Sequence, residues 1–82
     1  MKIIITPKTQ KHYARLPKTQ QIKIKKKISL LERDPLSGKK LEGEYAELRT
    51  IRAWPYRIFY FINEKEESVY IAAILHRQGA YK

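Results

Sequence analysis

The chain has 82 residues and a mass of 9.8 kDa, which suits a single domain over residues 1–82 with a core barely large enough to fold alone. It has no cysteine, which excludes disulfide bonds and thiolate metal sites. Its longest uncharged apolar stretch, Tyr70 to Leu75, is too short to cross a bilayer, and the apolar run near Met1 is too short for a secretion signal. We therefore expect a cytoplasmic protein with no membrane partner.

The net charge of +10 is large for this length and is unevenly distributed. From Met1 to Arg33, ten basic residues accompany one acid, whereas from Asp34 to Lys82 eight basic residues accompany seven acids. A field of this size attracts polyanions, so RNA, DNA, a ribosome, an anionic membrane surface and an acidic protein are the partners to consider. Charge alone does not choose among them.

The first predicted elements are a strand and a helix. The apolar, β-branched run Lys2–Ile5 favours a short strand. Thr6 and Pro7 suit a helix start, because threonine can accept a backbone N–H as N-cap and proline at the first helical position has no donor to lose. We expect this helix to run from Pro7 to about Leu16, before Pro17 breaks it.

A second helix is predicted over Lys18–Arg33. Ile24, Ile28 and Leu31 recur there at i, i+4 and i+7, which is the apolar stripe of a helix that packs on a core. The lysines of this segment lie mostly off the stripe and are expected at the surface. The helix should end at Asp34, because the residue before a proline avoids the helical conformation.

After a loop over Leu36–Glu44, the apolar period changes to two. Strands are predicted over Tyr45–Ala53, Tyr56–Asn63 and Ser68–Leu75, joined by a tight Trp-Pro connection and a polar hairpin. The middle strand is apolar on both alternating sets, which is typical of a central strand covered on both faces. The predicted order is β-α-α-β-β-β, an α+β fold with two helices packed on one face of an antiparallel sheet.

Three arginines interrupt or follow the predicted strands. Arg57 lies inside an otherwise apolar strand, and Arg52 and Arg77 lie on or at the ends of its neighbours. Guanidinium groups bind phosphate oxygens well, so their convergence on one face would make a phosphate site. Taken singly, each could instead be a surface residue, and Arg57 could pair with a glutamate such as Glu47.

His76 and Tyr81 follow the last apolar run and are the residues best suited to proton transfer or base stacking. Each has an ordinary alternative, since a histidine can make one structural hydrogen bond and a terminal tyrosine can dock on the core. Two separated histidines without cysteine give no zinc spacing, and three glycines form no phosphate loop, so we expect no metal and no cofactor. RNA is the favoured substrate, because its own 2′-hydroxyl can attack the adjacent phosphorus.

Several segments together resemble the RelE/ParE superfamily of toxins from bacterial and archaeal toxin–antitoxin modules. They are Leu41-Glu42-Gly43, Leu48–Arg52, Tyr56–Tyr60 and the ending His76–Lys82, and they occur in the order of that family over nearly the whole chain. The resemblance implies the β-α-α-β-β-β fold. It also implies a metal-free endoribonuclease that cleaves mRNA on the ribosome and leaves a cyclic phosphate, together with a cognate antitoxin that is acidic and partly disordered.

The resemblance also implies roles for single residues. Arg57 matches the strand arginine that stabilises the scissile phosphate, Arg77 and Tyr81 match the C-terminal catalytic positions, and His76 lies beside them. Four further basic residues are expected to bind RNA or phosphate: Arg52, Arg49, Lys25 and Lys26.

Two other functions are compatible with the sequence. ParE-type relatives share the fold but inhibit DNA gyrase without catalysis, and a basic nucleic-acid-binding module without toxicity would show the same charge. Cleavage of a translated message distinguishes the first function from these two.

Overall fold

The structure, a computed structural model, describes residues 1–77. In chain order the elements are β1 (Lys2–Ile5), α1 (Pro7–Ala14), α2 (Lys18–Arg33), β2 (Lys39–Lys40), a 3-10 turn (Gly43–Tyr45), β3 (Arg49–Ala53), β4 (Tyr56–Asn63) and β5 (Ser68–His76). The five strands form one sheet in the order β1-β5-β4-β3-β2. The α+β prediction is confirmed, with the short strand β2 added inside the predicted loop.

The sheet is mixed rather than wholly antiparallel. Strands β2 to β5 pair antiparallel, but β1 pairs parallel with β5, with Lys2 opposite Ser68 and Ile5 opposite Ile71. Between β1 and β5 the chain passes through both helices and three strands before it returns in the same direction. Strand periodicity carries no information on that distant partner, which is why the sequence did not predict the parallel pair.

The core lies between the helices and one face of the sheet. The predicted stripe of α2 is confirmed, since Ile24, Ile28 and Leu31 are all buried. They pack with sheet residues that include Ile58 and Tyr60, both with no exposed surface. Helix α2 therefore lies across the strands β3 and β4 that carry the predicted arginines.

A bulge in β5 changes which residues of that strand face the core. Phe59 is opposite Ala73 while Tyr60 is opposite Ile71, so Ala72 has no partner on β4. The Ala72 carbonyl instead accepts a hydrogen bond from the buried Thr9 hydroxyl at 3.0 Å. Because an extra residue reverses the alternation of a strand, Ile71 and Ile74 both reach the core.

Two predicted boundaries were wrong, one by two residues and one by four. Helix α1 ends at Ala14 rather than Leu16, where the side-chain amide of Gln21 donates to the Leu16 carbonyl at 3.0 Å. Strand β3 begins at Arg49 rather than Tyr45, because the preceding residues form a 3-10 turn that starts at Gly43 with φ 70°. A positive φ suits glycine and stops the extended conformation there.

The predicted N-cap Thr6 is at its expected position, but its hydroxyl does not cap the helix. It lies 2.7 Å from the hydroxyl of Thr9 and so joins the polar contact with β5. Among the described residues, neither helix is long and apolar enough to span a membrane.

Candidate nucleic-acid interface

Arg52 and Arg57 are directly opposite each other on β3 and β4. Opposed residues of an antiparallel pair point to the same face, with Cβ atoms about 4.5–5.5 Å apart. Their face is the one away from the helices, because the alternating residues Ala53 and Ile58 belong to the core. Two guanidinium groups opposite each other can bind the same anion, because each offers planar N–H donors that match phosphate oxygens.

Arg77 joins this pair at the same end of the sheet. Its backbone N–H donates to the Pro55 carbonyl at 2.8 Å, and its guanidinium carbon lies 4.9 Å from the centroid of the Trp54 ring. Leu75 of β5 is opposite Arg57, and Arg77 follows directly after the end of that strand. We call these residues the turn end of the sheet: Arg52, Trp54, Pro55, Arg57 and Arg77.

A groove of about 520 Å³ separates the turn end from α2. Lys23, Lys26 and Lys27 line it on the helix side, and Arg52 and Trp54 line it on the strand side. None of the described residues that line this groove is acidic. The predicted phosphate ligands Lys26 and Arg52 are therefore brought together, beside two lysines that continue the positive surface.

The predicted ligand Lys25 lies elsewhere. It lines a separate groove between α2 and the first strand, together with Ile3, Ile5 and Glu32. Consecutive residues of a helix with 3.6 residues per turn point about 100° apart, so Lys25 and Lys26 face different sides of α2. A strand of RNA held at the turn end would contact Lys26 and not Lys25.

Arg49 is also separated from the other arginines. It is opposite the buried Tyr60, so it lies on the helix side of the sheet. Its Nη1 donates a hydrogen bond to the Gly38 carbonyl at 3.1 Å. This contact ties the loop between α2 and β2 to β3, which is a structural role that the sequence did not predict.

His76 ends β5 beside the turn end, but on the other face of the sheet from Arg57. It is opposite Tyr56, and the two rings meet edge to face with centroids 5.3 Å apart. The His76 side chain is exposed. Tyr81, the other predicted proton carrier, lies outside the described residues.

Tyr60 connects β4 to the loop that follows α2. Its hydroxyl donates to the Pro35 carbonyl at 2.8 Å and accepts the Gly38 N–H at 2.9 Å. Burial raises the pKa of Tyr60, the Gly38 hydrogen bond and the Arg49 charge oppose that rise, and the Asp34 carboxylate adds to it. A Cβ on Gly38 would come within 2.7 Å of the ring carbon Cε1, so the loop can approach this closely only with glycine.

The acidic residues lie away from the turn end. No Asp or Glu occurs between Arg49 and Asn63, between Ser68 and His76, or on α2 before Glu32. The acids follow the apolar part of α2, occupy the loop before β3, or lie on the turn between β4 and β5: Glu32, Asp34, Glu42, Glu44, Glu47, Glu64, Glu66 and Glu67.

The turn between β4 and β5, Asn63–Ser68, we call the hairpin end. Asn63 donates to the Glu66 carboxylate at 3.2 Å and accepts the Glu66 N–H at the same distance. The exposed Tyr70 hydroxyl donates to the same carboxylate at 2.8 Å, which raises the pKa of Tyr70. Within residues 1–77, no group of three or more His, Asp or Glu side chains could hold a metal ion.

Sequence reasoning gave Trp54 no role in the site, and among the lysines of α2 it singled out Lys25 and Lys26 rather than the three that line the groove. The lysines could have been found from the stripe of α2, because positions 23, 26 and 27 fall on one flank of Ile24 and Ile28 and position 25 falls on the other. The sequence predicted only that Trp54 belongs to the tight turn between two strands, and it gave no sign that 56% of the side chain is exposed.

One protein-family model matches nearly the whole chain. The sequence model of the ParE toxin of the type II toxin–antitoxin system parDE matches residues 3–81. The chain belongs to this toxin family. No curated protein sequence matches the chain at a significant level.

Solved structures place this toxin within the RelE/ParE superfamily. The RelBE2 toxin–antitoxin complex of Mycobacterium tuberculosis contains a chain 27% identical to this one, with a TM-score of 0.83 over 93% of this chain and 96% of that chain. The archaeal RelE–RelB complex of Pyrococcus horikoshii gives 25% identity and a TM-score of 0.77, with 93% of each chain covered. The isolated RelE toxin of E. coli shares the fold, with a TM-score of 0.81 at 19% identity over 92% of this chain and 82% of that chain.

Proposed function

We propose that this toxin is an endoribonuclease that cleaves mRNA on the ribosome in the cytoplasm. The observation that carries the proposal is the pair of arginines directly opposite each other, Arg52 and Arg57, on the face away from the helices. Arg77 lies at the same end of the sheet. Guanidinium groups at one end of a sheet suit a phosphodiester whose charge increases during the reaction.

The proposed reaction uses a nucleophile that the RNA itself supplies. The ribose 2′-oxygen attacks the adjacent phosphorus and loses its proton, and the bond from phosphorus to the 5′-oxygen breaks as that oxygen gains a proton. The products are a 2′,3′-cyclic phosphate and a 5′-hydroxyl. The protein then has to position the strand, move two protons and stabilise the five-coordinate phosphorus. Arg57 and Arg52 would perform the last of these tasks.

The two proton carriers are proposed from the remaining predicted residues, His76 and Tyr81. His76 is the last residue of β5 and is exposed, so it borders the turn end although its ring belongs to the face of Tyr56. A side chain at the edge of the site is better placed to carry a proton than to hold the phosphate. Replacement of His76 by Gln should change the pH profile of cleavage if the imidazole carries a proton.

The proposed partner is an antitoxin with an acidic and partly disordered segment. The relatives from M. tuberculosis and P. horikoshii were solved as complexes of toxin with antitoxin, and this chain carries a charge of +10. Charge attraction between a disordered acidic segment and the basic surface would contribute to binding. Affinity that does not change with added salt would contradict a dominant electrostatic contribution.

The test is primer extension on a translated message after brief induction of the toxin. We expect cleavage sites that follow the reading frame, and no such sites on the same message when its start codon is removed. A message that remains whole while growth stops would overturn the ribonuclease proposal.

A second candidate function is inhibition of DNA gyrase. It is favoured by the family comparison, because the matching model is that of ParE toxins. In that case the toxin should block supercoiling by purified gyrase without cutting any nucleic acid. The two assays together give opposite results for the two functions.

A further inference from the structure

Trp54 is the largest exposed aromatic side chain near the cationic groups. It is the one tryptophan of the sequence, and 56% of its surface is exposed although its neighbour Ala53 is buried. Tryptophan is usually mostly buried, because its large apolar surface is costly to expose to water. An exposed ring held between two strands by a short turn therefore suggests a surface that a partner covers.

The surroundings of the ring indicate the chemistry of that partner. The guanidinium carbon of Arg77 lies 4.9 Å from the ring centroid, which is within the range of a cation–π contact. The ring also lines the groove of about 520 Å³ whose cationic lining residues are Lys23, Lys26, Lys27 and Arg52. One basic side chain thus lies over the ring, and four more line the same groove as the ring.

This combination suits single-stranded nucleic acid. Proteins bind single strands by placing cations along the phosphates and aromatic rings against unpaired bases. A groove of this volume is within the size range of small-ligand sites and could accept a nucleotide. The carboxylates of an acidic protein segment would satisfy the lysines but offer no flat π-surface to match Trp54 and Arg77, whereas every base of a single strand offers one.

We propose that Trp54 is a stacking platform for an unpaired RNA base next to the cleaved linkage. The strand would enter along Lys23, Lys26 and Lys27, stack one base on Trp54, and present the adjoining phosphate to Arg52 and Arg57. Arg77 would hold the ring in position through the contact already present. This inference rests on the proposed ribonuclease function for the identity of the strand, and it adds a residue that positions the substrate.

Because Trp54 is the one tryptophan, its fluorescence reports directly on the proposed contact. The full-length toxin is titrated with a short single-stranded RNA that carries 2′-O-methyl groups and so cannot be cleaved. A strand of the same length without bases is the matched probe. We expect quenching by the first strand, and binding of the second strand with little quenching. Equal quenching by both strands, or none by either, would overturn the stacking inference.

Variants test the same contact without the tryptophan signal. Binding of the labelled 2′-O-methyl strand, followed by fluorescence anisotropy, should weaken about 10-fold or more in Trp54→Ala and much less in Trp54→Phe. Tyr45→Ala is the matched control, because Tyr45 is a similarly exposed aromatic, at 58%, in the acidic loop before β3. An equal affinity of Trp54→Ala and the unmodified toxin would contradict the proposal, and the Phe variant separates this effect from misfolding.

The results also separate this inference from the proposed function. If the RNA quenches Trp54 but translated messages stay whole, the stacking site is confirmed and the ribonuclease proposal fails. If messages are cut equally by the toxin and by Trp54→Ala, the ribonuclease proposal holds and the stacking inference fails. Quenching by an acidic peptide but not by RNA would identify a protein-binding surface and would also overturn the inference.

Discussion

The turn end and the hairpin end lie at opposite ends of the same strand and differ in charge. Strand β4 runs from Tyr56 at the first to Asn63 at the second, a length of about 23 Å at the usual rise per residue. Arg52, Arg57 and Arg77 lie at the turn end, with three lysines across the groove. Glutamates and their hydrogen bonds occupy the hairpin end.

This difference teaches that the two ends of β4 do not share the charge of the chain equally, since six basic residues lie at the turn end or across its groove. A polyanion should approach the turn end, because the acids are concentrated elsewhere and would repel it. The loop between α2 and β2, by contrast, is tied to the sheet by Tyr60 and Arg49. Substitutions at the turn end should therefore change function, and those around Tyr60 should change stability.

The largest functional effect is expected for Arg57→Gln. Removal of one group that stabilises developing charge typically lowers a rate by about 10²–10³-fold. The rate of message cleavage per folded molecule measures this loss, and the thermal midpoint of the variant is measured beside it to separate activity from stability.

The matched control for that prediction is Arg33→Gln. Arg33 is an exposed arginine at the end of α2, close to the acids that follow it. Cleavage by this variant should equal that of the unmodified toxin. If both variants lose activity to the same degree, general charge rather than the turn end determines function.

A smaller effect is expected from replacing Lys23, Lys26 and Lys27 together by glutamine. These exposed or partly exposed side chains should each meet about one phosphate, so the slope of log affinity against log salt should fall by about 2 for single-stranded RNA. Affinity should drop roughly 10- to 100-fold at physiological salt. The single variant Lys25→Gln, on the other side of the helix, should leave the slope nearly unchanged.

The parts of the fold that depend on local periodicity were predictable. The helix α2 was predicted with its observed bounds, because a regular apolar stripe defined it, and β4 was predicted over Tyr56–Asn63 because a nearly continuous apolar run between two turns defined it. The parallel pairing of β1 and the bulge at Ala72 were not predictable, since both depend on a partner far away in the chain. The bulge matters because it lets Ile71 and Ile74 share the core.

The site was predictable to the extent that alternation determines it. Arg52 and Arg57 were expected together, and their pairing follows from the two-residue turn between their strands. The same alternation separates His76 from Arg57, which the sequence pattern could have shown only if the register of β5 had been known. The exposure of Trp54 depends on the tertiary structure around it, and local sequence gives no sign of it.

A stability effect without a functional one is expected for Tyr60→Phe. The change leaves the Pro35 carbonyl and the Gly38 N–H without their buried partner, which should lower the free energy of unfolding by about 1–3 kcal/mol. Urea denaturation measures the loss, and Tyr45→Phe, at an exposed site, is the control. Cleavage per folded molecule should be unaltered, and a loss of cleavage in the folded variant would mean that the two ends are coupled.

The smallest effect concerns the alkaline side of the stability profile. Burial raises the pKa of Tyr60 above the value of about 10 that it has in the unfolded chain, so the folded state keeps its proton after the unfolded state has lost it. The full contribution of Tyr60 is therefore present below about pH 10 and is lost as the pH rises toward the folded-state value. The stability difference between the unmodified toxin and Tyr60→Phe should accordingly shrink between about pH 9 and about pH 11 in urea denaturation. A difference that stays constant over this range would mean that the phenol ionises equally in both states, and that its hydrogen bonds with the loop do not depend on its protonation.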